Sequence, residues 1–337
     1  MKLLYKIIRA ILVTLLVLIL VTPMALYVII SLPCMQEKIC TITERELSKL
    51  LGTVVDIGGV DITPFTHVAL NDVTIKDAYS SEAVKLETIG AGIDIWELYK
   101  NRKIIITHAE LIGLDAKLYK KSPSSPLNIY NIIKHLQPKD KTKPPTKFDL
   151  KVNTVVIRDG KASFDILSAP TLTNQFEKNH IKITNLNADI ILPQLKNDDF
   201  IINVKRLNVK EKSGIDLKKL QGNFHIASTG ISIDDLEVFV GDSKFFFADL
   251  NLDFNDWNGL SNKIKTVPLD ITLKKCSYIT LSDLGPFLSG FKNMHERFNL
   301  DVSLNGNIDD LSINRLNISH RSSYRNQNAS ISSNKAK

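Results

Sequence analysis

The sequence predicts a mostly β fold held behind an N-terminal transmembrane helix, with antiparallel strands and only a few short helices. Three observations carry this. Ala10–Leu32 is an uncharged apolar run broken only by Thr14, Thr22, Pro23 and Ser31. After it, segment upon segment alternates apolar and polar residues, the period of strands with one dry and one wet face. Glycine, proline, asparagine and aspartate punctuate those segments at short intervals.

A helix needs about 20 apolar residues to cross a hydrocarbon core roughly 30 Å thick, and Ala10–Leu32 exceeds that. Lys2, Lys6 and Arg9 precede the run, while Glu37 and Lys38 cancel after it. The positive-inside rule therefore predicts a cytoplasmic N-terminus and an exported remainder. The rival is a cleavable signal peptide, whose apolar region is about 7–15 residues long. Ser31-Leu32-Pro33-Cys34 supplies neither its small-x-small site nor a lipoprotein box, so an uncleaved anchor over 1–35 is expected.

The segment 36–136 is predicted to be α+β. Gln36–Leu51 has Ile39, Ile42, Leu47 and Leu50 at helical spacing, with Gly52 in the C-cap position. Strands are predicted at Val54–Ile57, Val60–Thr63, Val68–Ile75 and Val84–Ile95, with Gly58-Gly59 as a turn and Gly90-Ala91-Gly92 as a bulge or close backbone approach. Two more run from Ile104 to Tyr119, bent near Gly113, and a short helix starts at Pro126. Residues 137–147 form a Lys/Pro-rich linker expected to extend as polyproline.

A β-rich segment follows over 148–318. Asp159-Gly160 reads as a turn into Ala162, Phe164 and Ile166. Ile181–Leu192, Phe200–Val209, Leu217–Leu220, Phe224–Ala227 and Ile231–Val240 read as strands. Phe246, Ala248, Leu250, Leu252 and Phe254 alternate with polar residues, as do Val267–Leu273 and Phe298–Leu304. Ser282–Phe298 is predicted to be helical, and 319–337 reads as a disordered tail. Such alternation fits both a closed sandwich core and a curled sheet with an apolar inner face; on general grounds the closed core is the expected one.

The chain carries a net charge of +7. Basic residues concentrate at the N-terminus and at Lys100–Lys103, Lys117–Lys121 and Lys134–Lys147, without the interleaved aromatics of a nucleic-acid surface. Solvated faces are the expected reading, with attraction to anionic lipid as the alternative. No nucleic-acid partner is expected. Cys34 and Cys40 permit a bridge in an oxidising compartment, or stand as small apolar residues of a helix, leaving Cys276 alone.

The residues offer no catalytic constellation. The seven histidines lack paired ligand spacing, no cysteine lies near one in a zinc pattern, and there is no G-x-S-x-G elbow. Asp234-Asp235 and Asp309-Asp310 read as turn residues, with calcium as the minor alternative. Neither an enzymatic activity nor a cofactor or metal is expected.

Several motifs resemble a known family. Glu46–Val60, followed by Leu70-Asn71-Asp72-Val73-Thr74-Ile75-Lys76-Asp77, resembles the opening of AsmA-like proteins behind their anchor. Ile95-Trp96-Glu97-Leu98 with the basic tip after it, and Leu127-Asn128-Ile129-Tyr130-Asn131-Ile132-Ile133, match that family's next elements. Ile157–Phe164, His180–Leu186 and Lys210–Leu217 are similar to the TamB branch of Bacteroidetes type. The resemblance covers roughly residues 1–318.

It implies a curled antiparallel sheet, a half-pipe, whose apolar interior carries phospholipid from the inner membrane across the periplasm. Phe246, Ala248, Leu250, Leu252, Phe254, Leu300, Val302 and Leu304 are the expected lining. It also implies an alternative role in outer-membrane protein assembly or protein secretion, and a plain scaffold is a third reading. TamB chains are much longer. This one is therefore expected to correspond to the N-terminal part, without the C-terminal region to which the family's outer-membrane barrel contact is attributed.

Overall fold

The computed structural model describes residues 2–63, 67–94, 96–97, 100, 105–136, 152–171, 175–196, 199–254, 267–320 and 330–332. The expected linker 137–147 lies outside them. The chain divides into two compact units, Met1–Glu110 with Asn128–Leu150, and Leu111–Leu127 with Lys151–Lys337.

The first unit begins with α1 (Lys2–Ile30) and α2 (Pro33–Leu51). Among the described residues no helix is long and apolar enough to cross a membrane. Several α1 side chains, among them Ile7, Ile8, Ile11 and Leu18–Leu20, are not among those described, so the expected span falls partly outside them. Pro33 at the first turn of α2 needs no hydrogen-bond partner for its nitrogen. Gly52 ends α2 in the left-handed region at φ 66°, its N–H donating to the Ser48 carbonyl. Cys34 and Cys40 are unbridged. Both sit on α2, where six residues of rise separate them by about 9 Å, beyond the reach of a disulfide.

Strands β1 (Val55–Thr63), β2 (His67–Lys76) and β3 (Glu82–Ile93) form an antiparallel meander, with β4 (Ile106–Ile112) beside β3. The expected turn at Gly58-Gly59 is absent. Both residues lie inside β1, which pairs with β2 along its length. β1 is the edge strand, and α2 covers it. The Val55 N–H donates to Ser48 Oγ at 3.0 Å and the Ile57 N–H to Glu44 Oε1 at 2.9 Å. An open edge is thus closed by side chains of a helix. Val55, Ile57, Val60, Val73, Ala83 and Leu86 are this unit's buried apolar residues.

A short helix, α3 (Tyr130–Leu136), starts four residues later than Pro126 suggests. The turn before it contains Asn128, which is buried and donates to Asp77 Oδ2 at 3.2 Å. Asp77 Oδ1 accepts the N–H groups of Tyr79 and Ser81. Two of the resemblance motifs therefore meet through their polar residues, and the contact is structural.

The second unit is a sheet. β5 (Asp115–Lys120) lies parallel to β6 (Thr154–Ile166). The rest is antiparallel: β7 (His180–Lys196), β8 (Asp199–Glu211), β9 (Asp216–Ala227), β10 (Gly230–Val240), β11 (Ser243–Asp253), β12 (Leu269–Leu273), β14 (Arg297–Gly306) and β15 (Leu311–His320). Short β13 (Ser277–Thr280) joins β11 and β14. β15 has no counterpart in the sequence reading. Short β16 (Ser330–Ser332) pairs with it and falls in the stretch expected to lack structure.

Asp159-Gly160 is no turn but the middle of β6, where Asp159 takes a φ of 53° and the register slips. Ser282–Phe298 is not an α-helix. Leu281–Leu284 and Ser289–Phe291 form 3-10 turns: Pro286 has no N–H to donate, and Gly285 and Gly290 lower the helix propensity of the stretch.

The slip in β6 recurs at one level across the sheet. Register breaks lie at Lys205–Arg206 in β8, at Asp235–Leu236 in β10 opposite Gly222 of β9, and at Ala248 in β11. In β7 they flank Asn185–Leu186. Asn185 and Asp235 have φ values of 53° and 50°. Each bulge bends its strand and increases the twist, so aligned bulges form a crease. Gly160, Ala188, Val204, Gly222, Leu236 and Leu273 are buried along it.

Candidate functional site

Register fixes which residues share a face. On one side of the crease, Ile202, Phe224, Ile233, Leu250, Ile271 and Leu304 stand directly opposite one another across β8, β9, β10, β11, β12 and β14. A parallel row holds Phe200, Ile226, Ile231, Leu252 and Leu269. With strands about 4.8 Å apart, five intervals make the first row about 24 Å long.

Beyond the crease the same face continues. In β9, Leu220 and Gly222 lie on the side of Phe224 and Ile226, since every second residue faces alike. Leu220 pairs with Leu207 and Val238, and Val238 with Phe245. At the far strands, Leu118 stands opposite Phe164 and Phe164 opposite Ile181.

Every residue of the two rows is half-buried, neither sealed nor fully open. Asn223, His225, Asp234, Asp249 and Asp270, on the reverse, are exposed. Among the described residues of this unit, strands make extended contacts only with sheet neighbours and short turns. Among the described residues no second layer covers the apolar face, so they form a single curled sheet and not the closed sandwich.

The expected lining divides. Leu250, Leu252 and Leu304 belong to the rows, and Leu300 and Val302 alternate with Leu304 along β14. Ala248 is the extra residue at the β11 register break. Phe254 is buried just past the end of β11, its N–H donating to the Thr229 carbonyl.

Phe246 is on the opposite face. It pairs with Glu237, which pairs with Gln221, and it packs edge-on against Phe239 at 5.5 Å between ring centroids. Lys219 and Lys244 stand over the Phe239 ring, and Lys219 bonds Glu237 at 2.7 Å. The bulge is the reason. It shifts the facing by one residue, so Phe245 and Phe247 take the apolar side, Phe247 opposite Leu273.

The reverse face is stitched by charge. Asp189 of β7 bonds both Arg158 of β6 and Arg206 of β8, spanning three strands beside the crease. These groups are partly exposed, so the triad adds little stability but fixes local register. Asp309 and Asp310 sit in the β14–β15 turn, donating their N–H groups to Asn307 Oδ1.

Chemically, the apolar face offers surface and no reactive group. Side chains at alternate strand positions exclude water over a long strip while the polar reverse stays wet. No family model, curated protein or solved structure matches the chain.

Proposed function

We propose that the chain is an AsmA/TamB-like protein, anchored by α1 in the inner membrane with its N-terminus cytoplasmic and its bulk periplasmic. In this reading it helps phospholipid move toward the outer membrane along an apolar β groove. The observation that carries the proposal is the uncovered apolar face, in register across β8 to β14 and continued beyond the crease. Contiguous apolar patches above a few hundred Å2 mark interaction sites. A strip about 24 Å long and at least two residues deep is of that class.

The physics suits acyl chains. Each CH2 exposed to water costs about 0.8 kcal/mol, so a bare chain meets a steep barrier that a continuous apolar strip lowers. The cationic start of the chain and the apolar sequence of Ala10–Leu32 support an anchor at which lipid enters. Mass spectrometry of lipid co-purifying with the full chain tests the reading. Phospholipid is expected at a fixed stoichiometry, and its absence would count against the groove.

A second reading is assembly of outer-membrane or secreted proteins. One observation favours it. Among the described residues β16 pairs with Asn317–Ser319 of β15, and Leu311 and Ile313 are 44% exposed on that strand. A client strand could add to this edge. Crosslinks from β15 to nascent barrel proteins, with none to lipid from the apolar rows, would favour it.

A further inference from the structure

The connection from β13 to β14, Leu281–Glu296, is a compact loop whose ends meet, the Leu281 N–H donating to the Glu296 carbonyl at 3.0 Å. Internal hydrogen bonds order it. The Phe287 and Leu288 N–H groups donate to the Leu284 carbonyl, that of Phe291 to Leu288 and that of Met294 to Phe291. The loop is also fastened to one end of the sheet. At the β10–β11 turn, Asp283 Oδ2 accepts the Asp242 N–H at 2.9 Å and the Ser243 hydroxyl at 2.5 Å. At the loop between β6 and β7, the Pro286 carbonyl accepts the Phe176 N–H at 2.8 Å, and the Phe287 and Phe176 rings lie 5.4 Å apart. Lys292 reaches the same place, where it lines a small cavity with Glu177 and Lys212.

This well-held loop turns apolar side chains outward. Phe287 is 52% exposed, Leu288 54% and Met294 43%. Ser289, Gly290, Lys292, Asn293 and His295 around them are exposed as well, so the apolar groups stand on a projecting tip. Leu167, 62% exposed, opens the β6–β7 loop against which Phe287 rests. Two chain segments thus offer large apolar groups to the surroundings at this end of the sheet. From Leu284 to His295 the sequence holds no carboxylate, and Lys292 and His295 are its only ionisable side chains.

The chemistry of the tip matches the surface of an anionic bilayer. Apolar side chains enter the acyl boundary there, while a lysine stem follows them and keeps its ammonium among the phosphates. A carboxylate on the tip would be repelled, and there is none. A stable protein interface takes about 20–30 residues a side, whereas the tip is the short stretch Phe287–His295. Because its hydrogen bonds already hold the apolar groups outward, insertion requires little further ordering.

We propose that this loop is a membrane-docking tip, with Phe287, Leu288 and Met294 inserting into the interface of an anionic bilayer. The inference rests on the anchor reading in one respect: a chain already held at a bilayer by Ala10–Leu32 needs only weak insertion to dock. Phe298 and Leu300, on the same face of β14 as Leu304, follow directly on the loop. Docking sets that end of the apolar face against lipid, so acyl chains pass between bilayer and rows without crossing water.

The test reconstitutes the full chain with vesicles of phosphatidylethanolamine and phosphatidylglycerol, with and without bromine on the acyl chains. An environment-sensitive fluorescent amino acid is placed at position 288, at 249 on the reverse face, or at 16 within the anchor. Bromine should quench the probe at 288 and leave the one at 249 unchanged. Leu288→Asp should abolish the quenching of a probe at 294. Leu250→Asp, which attacks only the apolar rows, should leave quenching at 288 intact, so lipid held in the groove is not its source. Quenching at 16 with none at 288 overturns the tip and leaves the anchor standing. Quenching at 288 with none at 16 does the reverse, and absence at both overturns both. A signal at 288 that Leu250→Asp removes, or that 249 shares, also overturns the proposal.

Discussion

Replacing Leu250 by aspartate sets a carboxylate in the middle of the longer apolar row, directly between Ile233 and Ile271. Leu250 is half-buried, so solvent reaches the new charge and the sheet is expected to stay folded. An acyl chain crossing that point is different. It loses apolar contact over about three methylenes, at about 0.8 kcal/mol each, or roughly 2 kcal/mol in all. That corresponds to about thirtyfold weaker binding. The control is Asn251→Asp, which adds the same charge one residue along on the reverse face. Titration of full-length variants with a fluorescent phospholipid reads both, with a circular dichroism melt to verify folding. An equal loss in the two variants, or no loss in Leu250→Asp, would refute the assignment of the apolar face as the lipid path.

A photo-crosslinking residue at position 247 should capture phospholipid and the same residue at 246 should not, because the β11 bulge puts the two on opposite faces. Gly222→Val should destabilise by about 1–3 kcal/mol, an overpacking cost read as a lower denaturant midpoint. Even a Cβ there meets the Leu236 backbone at 3.3 Å and its side chain at 3.2 Å. The hydrogen bond to Asp165 raises the His180 pKa above its usual value. Its stabilising contribution is therefore complete below the unfolded-state value of about 6.5 and is lost as pH rises through the folded value. His180→Gln should flatten that stretch of a stability–pH curve.

The sequence announces its strands well and their facing less well. Alternation finds β7, β8, β10 and β14 to within a few residues, and the Leu-Gly ending of α2 is correctly read. Alternation fails where the chain changes phase. In Phe245-Phe246-Phe247-Ala248-Asp249-Leu250, three phenylalanines in a row leave the inward set undetermined, and counting back from Leu252 selects the wrong one. Only the register against β10 and β12 shows that Phe245 and Phe247 turn inward. Asp159-Gly160 misleads in a related way. The same dipeptide serves a tight turn or a bulge, because both need a residue at positive φ. The cavity that Glu177, Lys212 and Lys292 line is invisible in sequence, since they come together through a connection whose path is set by Asp283 and Pro286.

The crease and the uncovered face explain each other. A flat single-layer sheet with one apolar side would expose that side fully and pair with copies of itself. At the aligned bulges neighbouring side chains shade one another, in keeping with burial at Ala188, Val204, Gly222 and Leu236 on the crease and half-burial along the rows. A bulge also shifts facing by one residue. The apolar side stays continuous only if strand sequences change phase at the level where the backbone does. Val204-Lys205-Arg206-Leu207 does so in β8, and Phe247-Ala248-Asp249-Leu250 in β11. If the face were meant to be sealed by a partner sheet, Gly222 and Ala188 would be expected to meet side chains from across a core. Gly222 instead meets Leu236 and Phe224 of its own sheet. The crease is thus packed by its own sheet while the rows on either side stay half-open, which is what the proposed groove needs.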